Sequence, residues 1–357
     1  MCDDHGDHDH HEAEQAAPRS LAGDAVDPIG LEPVDEVSVT MLVDNVYDGL
    51  LAGDEVARRR GVMAVAPTAS AVMTAGTTLP GLIAEHGFSA LVTVRRGEVS
   101  HTLLFDTGVS PIGMSHNMER LGVDPGDIEV TVLSHGHFDH AGGLEGLTAM
   151  RRGTGLPIIV HPLVWSRRRV AIPGLPEMEL PTVSKRALEQ EGLEVIERRQ
   201  RSLLLDGSVL ITGEVDRTTD YETGMPFHER HGDDGWEPDP LILDDQALVV
   251  NVRDRGLVVL TGCGHAGAVN IARYAMRLTG VDQLHAMLGG FHLSGPAFEP
   301  IIEPTVAAFA ALDPALLVPA HCTGWKAQHR FAAELTDAFA PNSVGTTYTL
   351  AAVPAAA

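Results

Sequence analysis

A chain of 357 residues with 44% hydrophobic content has material for one large or two medium folded domains, and with only 4% aromatics its core must be built from small aliphatic side chains. A formal net charge of −24 argues against nucleic-acid binding, which rests on lysine and arginine neutralising phosphates. Cys2, Cys263 and Cys322 are too few and too dispersed for a disulfide framework, and no run of about 18 apolar residues offers a membrane span, so a cytoplasmic protein with no nucleic-acid or membrane partner is expected.

The opening stretch, MCDDHGDHDHHEAEQ, mixes acid with histidine and has almost nothing to bury. Residues 1–36 are therefore expected to form a disordered acidic tail, in which His5, His8, His10 and His11 bind metal loosely if at all. The folded domain is expected over 37–352. It begins with VSVTMLVDN (37–45), whose apolar alternation is that of a strand. Segment 51–78 has no steady period and is expected to be a loop or lid insertion. ALVTVRR and HTLLFDTG follow as two strands joined by a glycine-containing turn. IEVTVLSH is a buried strand, and GGLEGLTAMRR after it has helical spacing. PIIVHP, GSVLITGEV, QALVVNVRDRGLVVLTG and LLVPAHCTG supply further strands; GAVNIARYAMRL, PTVAAFAALD and WKAQHRFAAELTDAF supply helices. A long loop is expected over 216–240. This mixture predicts a layered α/β domain with mixed sheets.

One stretch does not look like core. SHGHFDHAGG (134–143) crowds His135, His137, Asp139 and His140 together, and such side chains contribute little to folding unless they are paired. On an extended segment residues i and i+2 share a side, so His135 and His137 can hold one ion. Asp139 continues the alternation, and with His140 it can serve a second ion. Four ligands are too few for two ions. Apolar strands ending in glycine and a ligand-type residue offer the rest: VVLTGCGHAG with Cys263 and His265, AMLGGFHLSG with His292, and LLVPAHCTGW with His321.

HGHFDH matches the His-x-His-x-Asp-His motif of the metallo-β-lactamase superfamily, and LLFDTG, VVLTGCGHAG and VPAHC fall where that family places its other metal-site strands. Together with MLVDN, AEHGFSALV, LDDQALVV and LGGFHL, they make residues 37–350 resemble the branch described as dihydropterin-ribofuranosylaminobenzene-phosphate synthases or metal-dependent hydrolases. The resemblance implies a four-layer αβ/βα sandwich with mixed sheets. It implies His135 and His137 on a first ion, Asp139, His140 and His321 on a second, and Asp106 as a carboxylate that orients a ligand imidazole. The family also has a third histidine. His228 and His231 lie in the right region but in a polar, glycine-rich loop, and His265 is the other candidate. Cys263 stands where many relatives have a bridging aspartate and some have cysteine, so a thiolate ligand is chemically reasonable.

A pair of divalent cations, zinc ahead of iron or manganese, would lower the pKa of a shared water to about 7. Asp139 would orient that water and take its proton, and His265 or His292 would serve the leaving group or the developing charge. The function expected is a metal-dependent hydrolase acting on a small, phosphorylated or pterin-like substrate. A mononuclear iron dioxygenase on the same scaffold and a non-catalytic metal- or ligand-binding protein are the alternatives. Lone histidines such as His101, His116, His161, His285 and His329 are read as structural, Cys322 as a buried small residue, the RRR at 167–169 as a solvated face with a substrate-phosphate contact as the alternative, and Asp244 and Asp245 as turn residues at least as much as catalytic ones.

Overall fold

A computed structural model describes residues 27–61, 66–153 and 155–353. Residues 1–26 of the expected tail, including its four histidines, lie outside the described residues, as do residues 62–65 of the expected lid.

Short β-prone runs cut by glycine and aspartate turns assemble into two large sheets. The first has eight strands, in spatial order Leu193–Glu197, Leu156–Val160, Val130–Val132, Val99–Phe105, Ser89–Arg96, Glu36–Val43, Thr347–Ala351 and Ala57–Arg58. The second has six: Ser202–Leu204, Val209–Ile211, Leu248–Val252, Gly256–Thr261, Leu284–Gly290 and Leu316–Ala320. Consecutive side chains point to opposite faces of a strand, which decides where each apolar residue goes. Leu103 and Val258 enter the core between the sheets, along with Val37, Val92, Leu288 and Val318. Their chain neighbours Leu104 and Val259 face outward to helices. Leu104 and Ile158 pack on Met114 and Met118 of helix Gly113–Leu121 and on Leu147 of Leu144–Met150. On the far side, Val259 and Leu317 meet helices Ala268–Thr279, Ile302–Leu312 and Trp325–Glu334 through Val269, Phe309 and Phe331. The order is helix, sheet, sheet, helix. Each fully buried aliphatic or phenyl side chain contributes about 1.5–3 kcal/mol, which explains how a core poor in aromatics holds four layers.

Four strands of the first sheet, from Val99–Phe105 to Leu193–Glu197, run parallel. So do Gly256–Thr261, Leu284–Gly290 and Leu316–Ala320 in the second. Parallel strands put their carboxyl ends on one edge, and the loops leaving that edge carry Asp106, the 134–140 motif, Cys263, His265, His292 and His321.

Two segments differ from expectation. Residues 27–36, read as tail, are laid onto the domain: Ile29 N–H donates to Leu278 O, Val34 bridges Val252, and Leu31 and Val34 are buried. Three apolar residues among the acids were enough to dock them. The loop expected over 216–240 instead contains strands His228–Gly232 and Gly235–Pro238, which join Arg168–Val170 and Met178–Glu179 in a small four-stranded sheet. Trp236, flanked by the guanidinium groups of Arg167 and Arg169, supplies the packing that the polar sequence concealed. Part of the 51–78 insertion is strand Ala57–Arg58, paired with Thr347–Ala351. Among the described residues, no helix is long and apolar enough to cross a membrane.

Candidate metal centre

The strand Val130–Val132 ends short of the motif, the chain bends at Ser134 and Gly136, and His137 then stands at the N-terminus of the short helix Phe138–Ala141. Asp139 and His140 are therefore helical neighbours, and Asp139 does not continue the strand alternation. All four side chains are buried.

His265, from the loop after Gly256–Thr261, meets His135 and His137 in a triangle. His135 Nε2 lies 3.0 Å from His137 Nδ1, which lies 3.1 Å from His265 Nε2, and that atom returns to His135 Nε2 at 3.2 Å. Each nitrogen carries either a proton or a lone pair, so among three at least two are alike and oppose one another. No tautomer choice satisfies the triangle, whereas a cation among three lone pairs does. Burial holds all three imidazoles well below their usual pKa, so they are neutral as ligands must be.

A second group shares a sulfur with the first. Ligand atoms of Asp139, His140, Cys263 and His321 all lie within 4.8 Å of one another, as do those of His135, Cys263 and His265. His140 Nε2 is 3.1 Å from Cys263 Sγ, and His321 Nε2 is 3.2 Å from Asp139 Oδ2 without an aligned hydrogen bond. Burial works against charge on Asp139, but His140 and His321 outweigh it and hold the carboxylate below its ordinary range. Burial likewise opposes charge on His140, yet Asp139 and Asp106 raise its pKa to about 9. Burial pushes the Cys263 thiol well up. His292 belongs to a third group with Cys263 and Cys322, its ring 4.4 Å from that of His265.

The outer nitrogens fix the inner ones. Ser134 O–H donates to Asp106 Oδ2 at 2.7 Å, so its oxygen receives His135 Nδ1–H at 2.9 Å. His140 Nδ1–H donates to the same Asp106 oxygen at 2.7 Å. His321 Nδ1–H points to Asn45 Oδ1 at 3.2 Å, and His137 Nε2 faces His228 Nε2 at 3.1 Å. Holding the far nitrogen is how metal-binding histidines are usually oriented, and His135, His140 and His321 are held so, which fits this donor set to a metal.

Behind these contacts stands a frame. Asp244 Oδ2 accepts from Gly136 N–H at 2.9 Å, inside the motif, and Arg168 locks Asp244 and Asp239 in a buried ion pair. Asp245, raised by burial to about 7, accepts from Ala266 N–H. Asp44 Oδ1 accepts the His321 backbone N–H at 2.8 Å, and Asn45 Nδ2 donates to His321 O. Asp106, His292 and His321 have φ of 59°, 44° and 47°, a left-handed conformation that costs about 1–3 kcal/mol in non-glycine residues and clusters at functional sites. Gly262 lets the strands close: a Cβ there would stand 2.1 Å from Ser134 Oγ and 2.7 Å from Asp106 Oδ2.

Sequence reasoning overlooked Asp44, Asn45, Ser134 and Arg168, and left His228 undecided beside His231. The structure puts His228 against His137, while His231 packs on Trp236. His161 caps a turn through Leu163 N–H and faces Glu214, and His101 pairs with Glu129, both away from the cage.

Residues 86–269 match the family model of the metallo-beta-lactamase superfamily. A 7,8-dihydropterin-6-methyl-4-(beta-D-ribofuranosyl)-aminobenzene-5'-phosphate synthase of Methanocaldococcus jannaschii is 29% identical over 264 residues, covering 71% of this chain and 86% of the relative. An uncharacterised protein of the same archaeon is 28% identical over 258 residues, covering 72% and 91%. Among solved structures, Tm1679, a metal-dependent hydrolase of the beta-lactamase superfamily, superposes with a TM-score of 0.64 at 23% identity, covering 88% of this chain and 99% of that one.

Proposed function

Because the chain belongs to the metallo-beta-lactamase superfamily, we propose that it is a hydrolase that activates water with two divalent cations, zinc before iron or manganese. The observation that carries this reading is the shared sulfur: Cys263 stands in both the His135–His265 group and the Asp139–His140–His321 group. His135, His137 and His265 would hold one ion, Asp139, His140 and His321 the other, and Cys263 would lie between them. Nitrogen-rich ligation with a thiolate favours zinc. Bound cations supply a nucleophilic hydroxide near neutral pH and polarise the substrate oxygen.

The chain's own residues do the rest. Asp139, kept ionised by its neighbours, orients the attacking water and receives its proton. His265 is committed to the triangle through Nε2, which leaves His292, outside both groups, to face the leaving group. The relative's name supports a small, phosphorylated or pterin-like substrate. Against an iron dioxygenase stands the second donor group, since that chemistry needs only two histidines and one carboxylate with open positions.

Elemental analysis and a panel of phosphodiester, lactone, thioester and pterin-phosphate substrates test the reading. Two zinc per chain with hydrolysis of at least one class is expected, and Asp139→Ala should abolish turnover. One iron with oxygen uptake, or full activity in Asp139→Ala, would defeat it.

A further inference from the structure

Two cavities open beside the cage, and they share a wall. The smaller is lined by Gly264, His265, Phe291 and His292; the larger, of about 320 Å³, by Val170, Ile172, Met225, Phe227, His228 and Phe298. Met225, Pro226, Ala297 and Phe298 line both. Phe298 meets the His292 ring edge-on at 4.5 Å, and His228, at the edge of the larger cavity, touches His137 at 3.1 Å. An apolar slot therefore runs straight off the donor groups, and its volume falls where small-molecule sites begin, at roughly 300 Å³.

The chemistry of the walls narrows the occupant. Among the described residues, no lysine or arginine lines either cavity. Arg169, the nearest in sequence to Val170, is bound to Glu177 and Glu229, Arg168 to Asp244 and Asp239, and Arg217 spends its guanidinium on the His265 and Leu241 carbonyls. Glu222, in the smaller cavity, is held by the Val269 and Asn270 N–H groups. An anionic group entering the larger cavity would lose its hydration with no counter-charge. Ile172 and Phe227, each 39% exposed, keep an apolar rim open to solvent.

We infer that this cavity binds an uncharged apolar portion of the substrate, an alkyl chain or an aromatic ring, and holds it while the scissile group lies over the cage. The assignment rests on the hydrolytic reading for the substrate's orientation. A phosphate on the same substrate would have to sit elsewhere.

The test uses the full-length, zinc-loaded protein with an uncharged probe, N-phenyl-1-naphthylamine, whose emission rises in apolar surroundings. Saturable binding is expected, and inorganic phosphate should not displace the probe. Ile172→Asp and Ala297→Trp, both at exposed positions, should weaken binding by on the order of tenfold with folding intact. In parallel, KM for 4-nitrophenyl octanoate should be lower than for the acetate in the wild type, and Ile172→Asp should erase that gap while sparing the acetate. Equal dye affinity in all three proteins, or displacement by phosphate, would overturn the assignment. The two readings fail separately: no hydrolysis of these esters or of any class in the substrate panel, with the dye pattern intact, sinks only hydrolysis, whereas ester turnover indifferent to chain length and to Ile172→Asp sinks only the cavity.

Discussion

The two halves of the donor cage are held by opposite kinds of force. On one side His135, His137 and His265 are neutral, kept so by burial, and backed by Arg168 acting through Asp244 on the Gly136 amide. On the other, His140 is clasped by the carboxylates of Asp139 and Asp106, and His321 is tethered by Asp44 and Asn45. The first half is ready for a cation at neutral pH; the second must give up a proton to take one. A cage assembled from remote strand ends can thus present two unlike sites through outer contacts rather than through ligand identity alone.

The largest expected effect breaks the first half. Replacing Arg168 with Met strands Asp244 and Asp239 as buried unpaired carboxylates and should cost about 3–5 kcal/mol in denaturant unfolding. A loss under about 1 kcal/mol would mean that the pair does not brace the motif.

Next comes pH, which separates the halves. His140 keeps its proton below about 9, and a cation must displace it. Below about pH 9, zinc affinity of the second site should therefore rise by about tenfold more per pH unit than that of the triangle site, the proton of the shared Cys263 thiol adding equally to both. Competition titrations against a chelator would read both, and parallel slopes would erase the distinction.

Smaller changes probe the outer contacts of the second half. Asp106→Ala removes the acceptor of His140 Nδ1–H and should weaken zinc there by about 10–100-fold. Asn45→Ala removes a longer, neutral contact to His321 and should cost only about 1 kcal/mol of binding. Calorimetry that ranked these two the other way would show that the β-strand anchor, not the carboxylate, governs this half.

Much of this arrangement could be read from the sequence, and what could not has a physical reason. A ligand cluster on consecutive residues announces itself, and an apolar strand followed by glycine and histidine is a local pattern, so 134–143, His265 and His321 stood out. Partners brought together by folding leave no local trace. Asp44 and Asn45 sit at the end of the strand Glu36–Val43 and act on a residue about 277 positions away, as the hydrogen bond from His321 to Asp44 records. Arg168 hid in RRR because charge runs are normally solvated, and only the two aspartates beside it make its burial tolerable. His228 was obscured for a similar reason, since its strand pairs across the small sheet with Arg168–Val170 and has little apolar alternation of its own.

The clearance at Gly262 has a wider meaning. With a side-chain oxygen 2.1 Å from where its first carbon would be, this position packs bare main chain directly against the Ser134 and Asp106 side chains that orient the ligand imidazoles and leaves no slack between them. Variation that retunes such a protein to new compounds is then barred from the floor of the basin and must act on its rim, in the segments around Phe227 and Phe298, where the chain can be rewritten without disturbing the chemistry beneath.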